Sequence, residues 1–229
     1  MRMMIRAAAS SLLLTVAVIC GACASSTRPV NVFDAQRSIE HYVQSGAYDS
    51  DFRKVVADAQ AYVERRAPHV KRPAVVLDID ETSLSNWRAY KVNGWARIAN
   101  GPCDIDKGPC GLRAWQEMAQ SPALNPTLLL VNRARELRVA VFFISGRPAS
   151  LQAATERNLR EQGYNWEAVV LQPPNAAFTS AVDFKAPERR KIAERGYTVL
   201  LTMGDQESDL KGGYAERTFK LPNPVYYLP

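Results

Sequence analysis

A three-layer α/β fold with a mainly parallel sheet is what this sequence predicts, on three observations. Short unbroken apolar runs of strand length recur from residue 74 onward. Segments with helical spacing separate them, which is how a sheet covered on both faces reads in sequence. Acidic or hydroxyl residues directly follow several of the runs, where ligands bind in open α/β sheets.

The elements follow in order. Phe33 to Val43 and Phe52 to Val63 carry apolar residues at helical spacing (Phe52, Val55, Val56, Ala59 and Val63 in the second), with Asp49 or Ser50 as the cap. These two helices read as packing or as contacts to a second copy in a homo-oligomer. Ala74 to Leu77 is the first strand. A small insertion over 83–125 then interrupts the alternation and carries Trp87, Tyr90, Trp95 and Trp115, which read mainly as packing and alternatively as a stacking wall for a leaving group. A helix opens at Pro126, followed by a strand from Val139 to Ile144 and a helix from Pro148 to about Gln162, stopped by Gly163. Next come a strand at Ala168 to Leu171, a helix from Pro187 to Arg195, a strand at Tyr197 to Met203 and a short one at Thr218 to Leu221.

Residues 1–24 stand apart. Arg2 and Arg6 precede an apolar stretch from Ala7 to Ile19 that is too short for a comfortable membrane span, so the segment reads as an export signal. Ala22-Cys23-Ala24 fits ordinary signal cleavage, whereas Gly21-Ala22-Cys23 before Ala-Ser-Ser is like a bacterial lipoprotein junction with a lipid on Cys23; the second reading is favoured, although Cys20 stands where an aliphatic residue is usual. Of 29 basic side chains the signal removes two, leaving 27 against 23 acidic ones, a balance of +4. That is far from the footprint of a protein that binds a nucleic acid polymer.

Cys103 and Cys110 lie beyond the signal, and an exported pair at this spacing reads as a disulfide. A zinc site would need two more ligands, and His41 and His69 have no Cys or His neighbour in sequence.

Asp78-Ile79-Asp80-Glu81-Thr82 ends the first strand, and Gly204-Asp205-Gln206-Glu207-Ser208-Asp209 follows a later one. Carboxylates gathered at buried strand ends repel one another unless a cation or shared proton offsets them, so the pattern points to metal-assisted phosphoryl transfer. Ser145-Gly146-Arg147 ends the second strand, where a hydroxyl, turn amides and a helix start face an anion together. Lys185, ahead of Pro187, reads as a mobile cation.

These segments resemble the haloacid dehalogenase superfamily, and within it the secreted acid phosphatases. The resemblance runs from about Val32 to the C-terminus through Leu-Asp-Ile-Asp-Glu-Thr at 77–82, Ile-Ser-Gly-Arg at 144–147, Phe-Lys at 184–185, Gly-Asp-Gln-Glu-Ser-Asp-Leu at 204–210 and Thr-Phe-Lys-Leu-Pro-Asn-Pro at 218–224. It implies a Rossmann-like phosphatase domain over 25–229, acting on small phosphomonoesters with Mg²⁺. Asp78 matches the family nucleophile. Asp80 would be the general acid and base, keeping a proton in mild acid. Asp78, Asp205, the carbonyl of Asp80 and, farther out, Asp209 would hold the metal; Ser145, Gly146 and Lys185 would hold the phosphate, with Arg147 as a further contact and Thr82 steadying the loop. Together with the signal, the resemblance implies the periplasm or outer membrane of a bacterium. The alternatives are a nucleotidase or phosphotransferase, and a non-catalytic storage or surface-binding lipoprotein.

Overall fold

Pro73–Leu77 (β1), Ala140–Pro148 (β2), Ala168–Gln172 (β3), Thr198–Gly204 (β4) and Arg217–Lys220 (β5) form one parallel sheet in the computed structural model, which describes residues 29–174 and 180–228. The order is β3-β2-β1-β4-β5. Winding therefore changes direction at β1, and the crevice beyond its carboxyl end is where open α/β sheets take ligands.

Alternate side chains of the strands feed two cores, as the period of two requires. Val75, Leu77, Val141 and Phe143 face Val56, Ala59 and Val63 of helix Ala47–Arg66 (α2) and Leu130 and Val131 of helix Asn125–Glu136 (α5). Ala74, Val76, Phe142, Ile144 and Val199 face Phe184 and Ile192 of helix Val182–Glu194 (α7). Leu77, Phe142 and Phe143 are wholly buried, each worth about 1.5–3 kcal/mol of burial. The sheet is thus a stiff platform for what protrudes from its strand ends. The first helix, Val32–Gln44 (α1), buries no residue.

The insertion has its own small core. Helices Trp87–Val92 (α3) and Leu112–Met118 (α4) pack Ala89, Tyr90, Leu112 and Trp115 together, with Val225 and Tyr226 of the C-terminal tail against them. The Cys103–Cys110 disulfide is formed. Tyr90 and Trp115 are wholly buried, and Trp87 lies 4.4 Å from the Tyr48 ring and 5.2 Å from that of Trp95. The aromatic residues of the insertion are packing.

Three element boundaries depart from expectation. The second helix starts at Ala47 behind Gly46, whose left-handed φ of 77° turns the chain out of α1, so neither Asp49 nor Ser50 caps it. Strand β2 runs on to an extended Pro148 paired with Gln172; a 3₁₀ turn at Ala149–Leu151 follows, and helix Gln152–Glu161 (α6) begins only then. Helix α7 opens at Val182, placing Pro187 and Lys185 inside it. Its start is fixed by a reciprocal pair in which Val182 N–H donates to Ser180 Oγ and Ser180 N–H donates to Asp183 Oδ2. A Ser-x-x-Asp cap carried that signal in the sequence, and the proline masked it.

Residues 32–229 form one unit and residues 1–31 another. The export signal and the Cys23 anchor fall outside the described residues. No helix among the described residues is long and apolar enough to cross a membrane.

Candidate active site

Asp78 follows β1 directly, and its N–H donates to Met203 O of the neighbouring β4 at 3.0 Å. The backbone then turns sharply: Thr82, Ser83 and Leu84 N–H all donate to Ile79 O, and Glu81 takes a left-handed φ of 53°. This turn sends Asp78 and Asp80 into a cavity of about 130 Å³ that Ser145, Gly146, Lys185 and Asp205 also line.

Lys185 is buried rather than mobile. Its ammonium donates to Asp78 Oδ1 at 2.6 Å and to Asp209 Oδ1. Burial works against its charge, but Asp209 and Asp78 outweigh burial and hold it protonated. Asp78 in turn is raised well above the usual carboxylate range by burial, with Lys185 pulling down and Asp209, Asp205 and Asp80 pushing up.

Asp205 follows β4. Its Oδ2 accepts from Gln206 Nε2 and Asn223 Nδ2, each at 2.6 Å, and its carbonyl accepts from Lys220. Burial, then the charge of Asp209, pushes its carboxyl up to about 6 against those hydrogen bonds. Asp209 sits on helix Glu207–Leu210 (α8) with both oxygens engaged, Oδ1 by Lys185 and Oδ2 by Gln206 N–H at 2.8 Å. Only glycine fits at 204, because a Cβ there would stand 2.2 Å from Asp209 Oδ2.

Asp80 departs most from its expected state. Arg147 Nη2 donates to its Oδ1 at 2.7 Å, and Asn86 Nδ2 and Gln116 Nε2 donate to the same oxygen at 2.7 and 3.1 Å. Burial would raise its carboxyl, but the charge and hydrogen bonds of Arg147, then Asn86 and Gln116, win and hold it below the ordinary value. That environment favours the ionised form of Asp80, against the expectation that it keeps a proton. By the same contacts the Arg147 guanidinium is turned to Asp80 and Thr155 Oγ1, not left free for phosphate. Ser145 Oγ accepts Arg147 N–H at 3.2 Å. Thr82 is fully buried and donates to Asp205 Oδ1 at 3.3 Å, so it steadies the carboxylates from behind without lining the cavity.

Sequence reading missed the amides. Asn86 and Gln116 arrive from the insertion and Asn223 from the tail, and no local pattern marks an amide aimed at a carboxylate. Glu81, an acid in the nucleophile turn that reads from sequence as an exposed modulator or nothing, is buried instead. It accepts from Asn86 N–H and Nδ2, Tyr90 OH and Tyr226 OH, and burial, with Asp80 and Asp205 adding, lifts it to about 8.

The donor chemistry of Asp78, Asp205 and Asp209 suits a hard divalent cation: one oxygen from each lies within 4.8 Å of the others, and all three residues are buried. Lys185 and Arg147 supply two positive charges against four aspartates in the site.

The family model for acid phosphatases of the HAD superfamily, subfamily IIIB, matches residues 5–229. The chain belongs to that family. This acid phosphatase is 36% identical to a stem 28 kDa glycoprotein of Glycine max over 82% of the chain and 73% of that protein. It is 28% identical to acid phosphatase 1 of Solanum lycopersicum, over 83% and 73%, and 30% identical to vegetative storage protein 1 of Arabidopsis thaliana, over 83% and 68%. Its fold is like that of the class C acid phosphatase from Bacillus anthracis, with a TM-score of 0.68, 22% identity and coverage of 86% and 87%. The protein is a phosphomonoesterase of the HAD type, and a storage role has less support. One expectation is corrected: a periplasmic or outer-membrane lipoprotein of a bacterium does not stand, because these curated relatives are plant proteins.

Proposed function

We propose that this acid phosphatase hydrolyses small phosphomonoesters through an aspartyl-phosphate on Asp78. The observation that supports this most is the placement of Asp78 at the switch point, bonded to a buried lysine and opening with Ser145 onto the cavity. An Asp78 oxygen attacks phosphorus, the P–O bond to the alcohol breaks, and the alkoxide leaves with a proton. Water then attacks the phosphoenzyme, loses its proton to Asp80 and releases phosphate. Ser145 and the Gly146 amide hold phosphoryl oxygens, joined by Lys185.

The two carboxylates are shifted in the directions opposite to what this chemistry needs, Asp78 upward by burial and Asp80 downward by Arg147. Mg²⁺ is the cation we assign to Asp78, Asp205 and the Asp80 carbonyl, with Asp209 orienting Lys185 and Gln206 beside it. When bound, it supplies the charge that lets Asp78 and a phosphate dianion share one site. Asp80 supplies its first proton from the minority protonated form, which grows as pH falls; slow leaving groups are then hydrolysed fastest in acid. Asn86 and Gln116 hold that carboxyl toward the leaving oxygen.

Acid quench of a reaction with ³²P-labelled substrate tests the reading. Label should be trapped on a peptide containing Asp78 and be released by hydroxylamine, as an acyl phosphate is. Single-turnover conditions that yield product with no labelled protein would overturn it.

A further inference from the structure

The mouth of the cavity carries two arginines that the hydrolytic reading does not use. Arg97 and Arg113 both line it, and both are exposed. They lie sixteen residues apart in sequence, yet backbone bonds bring their segments side by side: Leu112 N–H donates to Ile98 O at 2.7 Å, and Arg113 N–H to Ala99 O at 3.2 Å. Gly111 seats this join, because a Cβ there would stand 2.3 Å from Gly101 O. The disulfide between Cys103 and Cys110 closes the loop that the join leaves behind. The position of the pair is therefore fixed by four separate constraints on the backbone.

Neither Arg97 nor Arg113 forms an ion pair among the described residues, as is also true of exposed Arg53, Arg65 and Arg88; what sets the two apart is that both line the cavity. Arg97 lies 5.4 Å from the Tyr226 ring centroid, a contact that orients a guanidinium and leaves its hydrogen-bond donors available. A solitary surface arginine is ordinarily a solvated charge. Two that share one concavity with a phosphoryl-transfer site, neither held in an ion pair among the described residues, are arranged to receive an anion.

The size of the cavity says where that anion sits. At about 130 Å³ it falls below the ~300–1,000 Å³ of pockets that enclose drug-sized ligands. A phosphoryl group and a few further atoms fill it, and the rest of the leaving group meets the mouth. Without the arginines, a second negative charge there would face the field of Asp78, Asp80 and Asp205.

We propose that Arg97 and Arg113 form a second-anion subsite, which makes the preferred substrates small phosphomonoesters whose leaving alcohol carries a carboxylate or another anionic group. The proposal rests on the reading of the Asp78 site as the seat of phosphoryl transfer. It assigns the disulfide loop to substrate choice.

Three primary phosphate esters test it with purified protein: 3-phosphoglycerate, glycerol 3-phosphate and O-phosphoethanolamine, whose leaving groups are anionic, neutral and cationic. We expect kcat/KM for the anionic ester to exceed that for the neutral one by about ten-fold, the scale of one charge-assisted contact, with the cationic ester lowest. The anionic-to-neutral ratio should collapse toward one in R97Q/R113Q, remain largely intact in R97K/R113K, and shrink as added salt screens the mouth. No preference for the anionic ester, or a preference that R97Q/R113Q keeps, would overturn the subsite. Circular dichroism melts show that each variant is folded. Failure of the nucleophile assignment is seen separately, as absent phosphoenzyme, and leaves the ratio readable.

Discussion

The floor of the site and its mouth are built by opposite means. The floor comes from the carboxyl ends of strands: Asp78 and Asp205 follow β1 and β4, Ser145 lies near the end of β2, and all three are buried and bonded to fixed partners. The mouth comes from the disulfide-bearing insertion and the C-terminal tail, where the charged groups are exposed and only the backbone beneath them is fixed. A sheet edge gives geometry good to fractions of an ångström, which bond-making needs. An appended lobe can be refitted without disturbing it. Floor substitutions should therefore act on every substrate, and mouth substitutions on the choice among substrates.

The strongest way to break that comparison is Asp78→Asn. It should cost about 10⁴-fold or more in kcat for every ester, the scale of losing a covalent nucleophile; a loss confined to some substrates would mean that the floor also selects. Asp80→Asn comes next, with about 10²–10⁴-fold lost for alkyl phosphates. The loss for p-nitrophenyl phosphate should be smaller, because that leaving group departs with little protonation, and phosphoenzyme should accumulate. Equal losses without a trapped intermediate would remove Asp80 from both proton transfers.

Asn223→Ala sharpens the boundary between the regions, because this tail residue reaches down to Asp205 at 2.6 Å. Mg²⁺ affinity, read by calorimetric titration, should weaken by about 10- to 100-fold, as when an outer partner of a metal ligand is removed. Unchanged affinity would place Asn223 with the mouth instead.

The smallest expected effect is on stability against pH in excess chelator. Asp205 and Glu81 are lifted to about 6 and about 8 in the folded protein, so between the ordinary carboxylate range and those values the native state binds more protons than the unfolded one. Stability from these groups is present at low pH and lost as pH rises through 6 and 8. Asp80 runs the other way, with its contribution lost only as pH falls through its lowered value. The melting temperature should thus decline from about pH 5 to 8, and saturating Mg²⁺ should flatten the part due to Asp205. A melting temperature that climbs over that range would contradict the assigned burial of charge.

Legibility in the sequence follows the same division. Strands β1 and β4 and the acids after them are local patterns, apolar run then carboxylate, and their bounds agree with the sequence to within a residue, whereas β2 runs four residues past its expected end at Ile144. Lys185 was found but misjudged, because Pro187 looked like a helix start and the Ser180–Asp183 cap beyond it was overlooked. The lowered proton affinity of Asp80 is hidden from the sequence for a different reason. Its environment is made by Arg147, 67 residues on, and Gln116, 36 residues on, and no spacing rule reveals such meetings. The mouth was the least readable: Arg97 and Arg113 acquire meaning only when two backbone bonds bring them together.

Glu81 carries one more consequence. Its carboxyl collects donors from the nucleophile turn's neighbour Asn86, from Tyr90 in the insertion and from Tyr226 in the tail, and the last two rings lie 5.7 Å apart. Insertion and tail thus meet on one acid and must fit each other around it. A chimera that takes residues 83–125 from a relative should succeed when the segment from 221 onward comes from the same parent, and should lose its fit when the two are drawn from different ones.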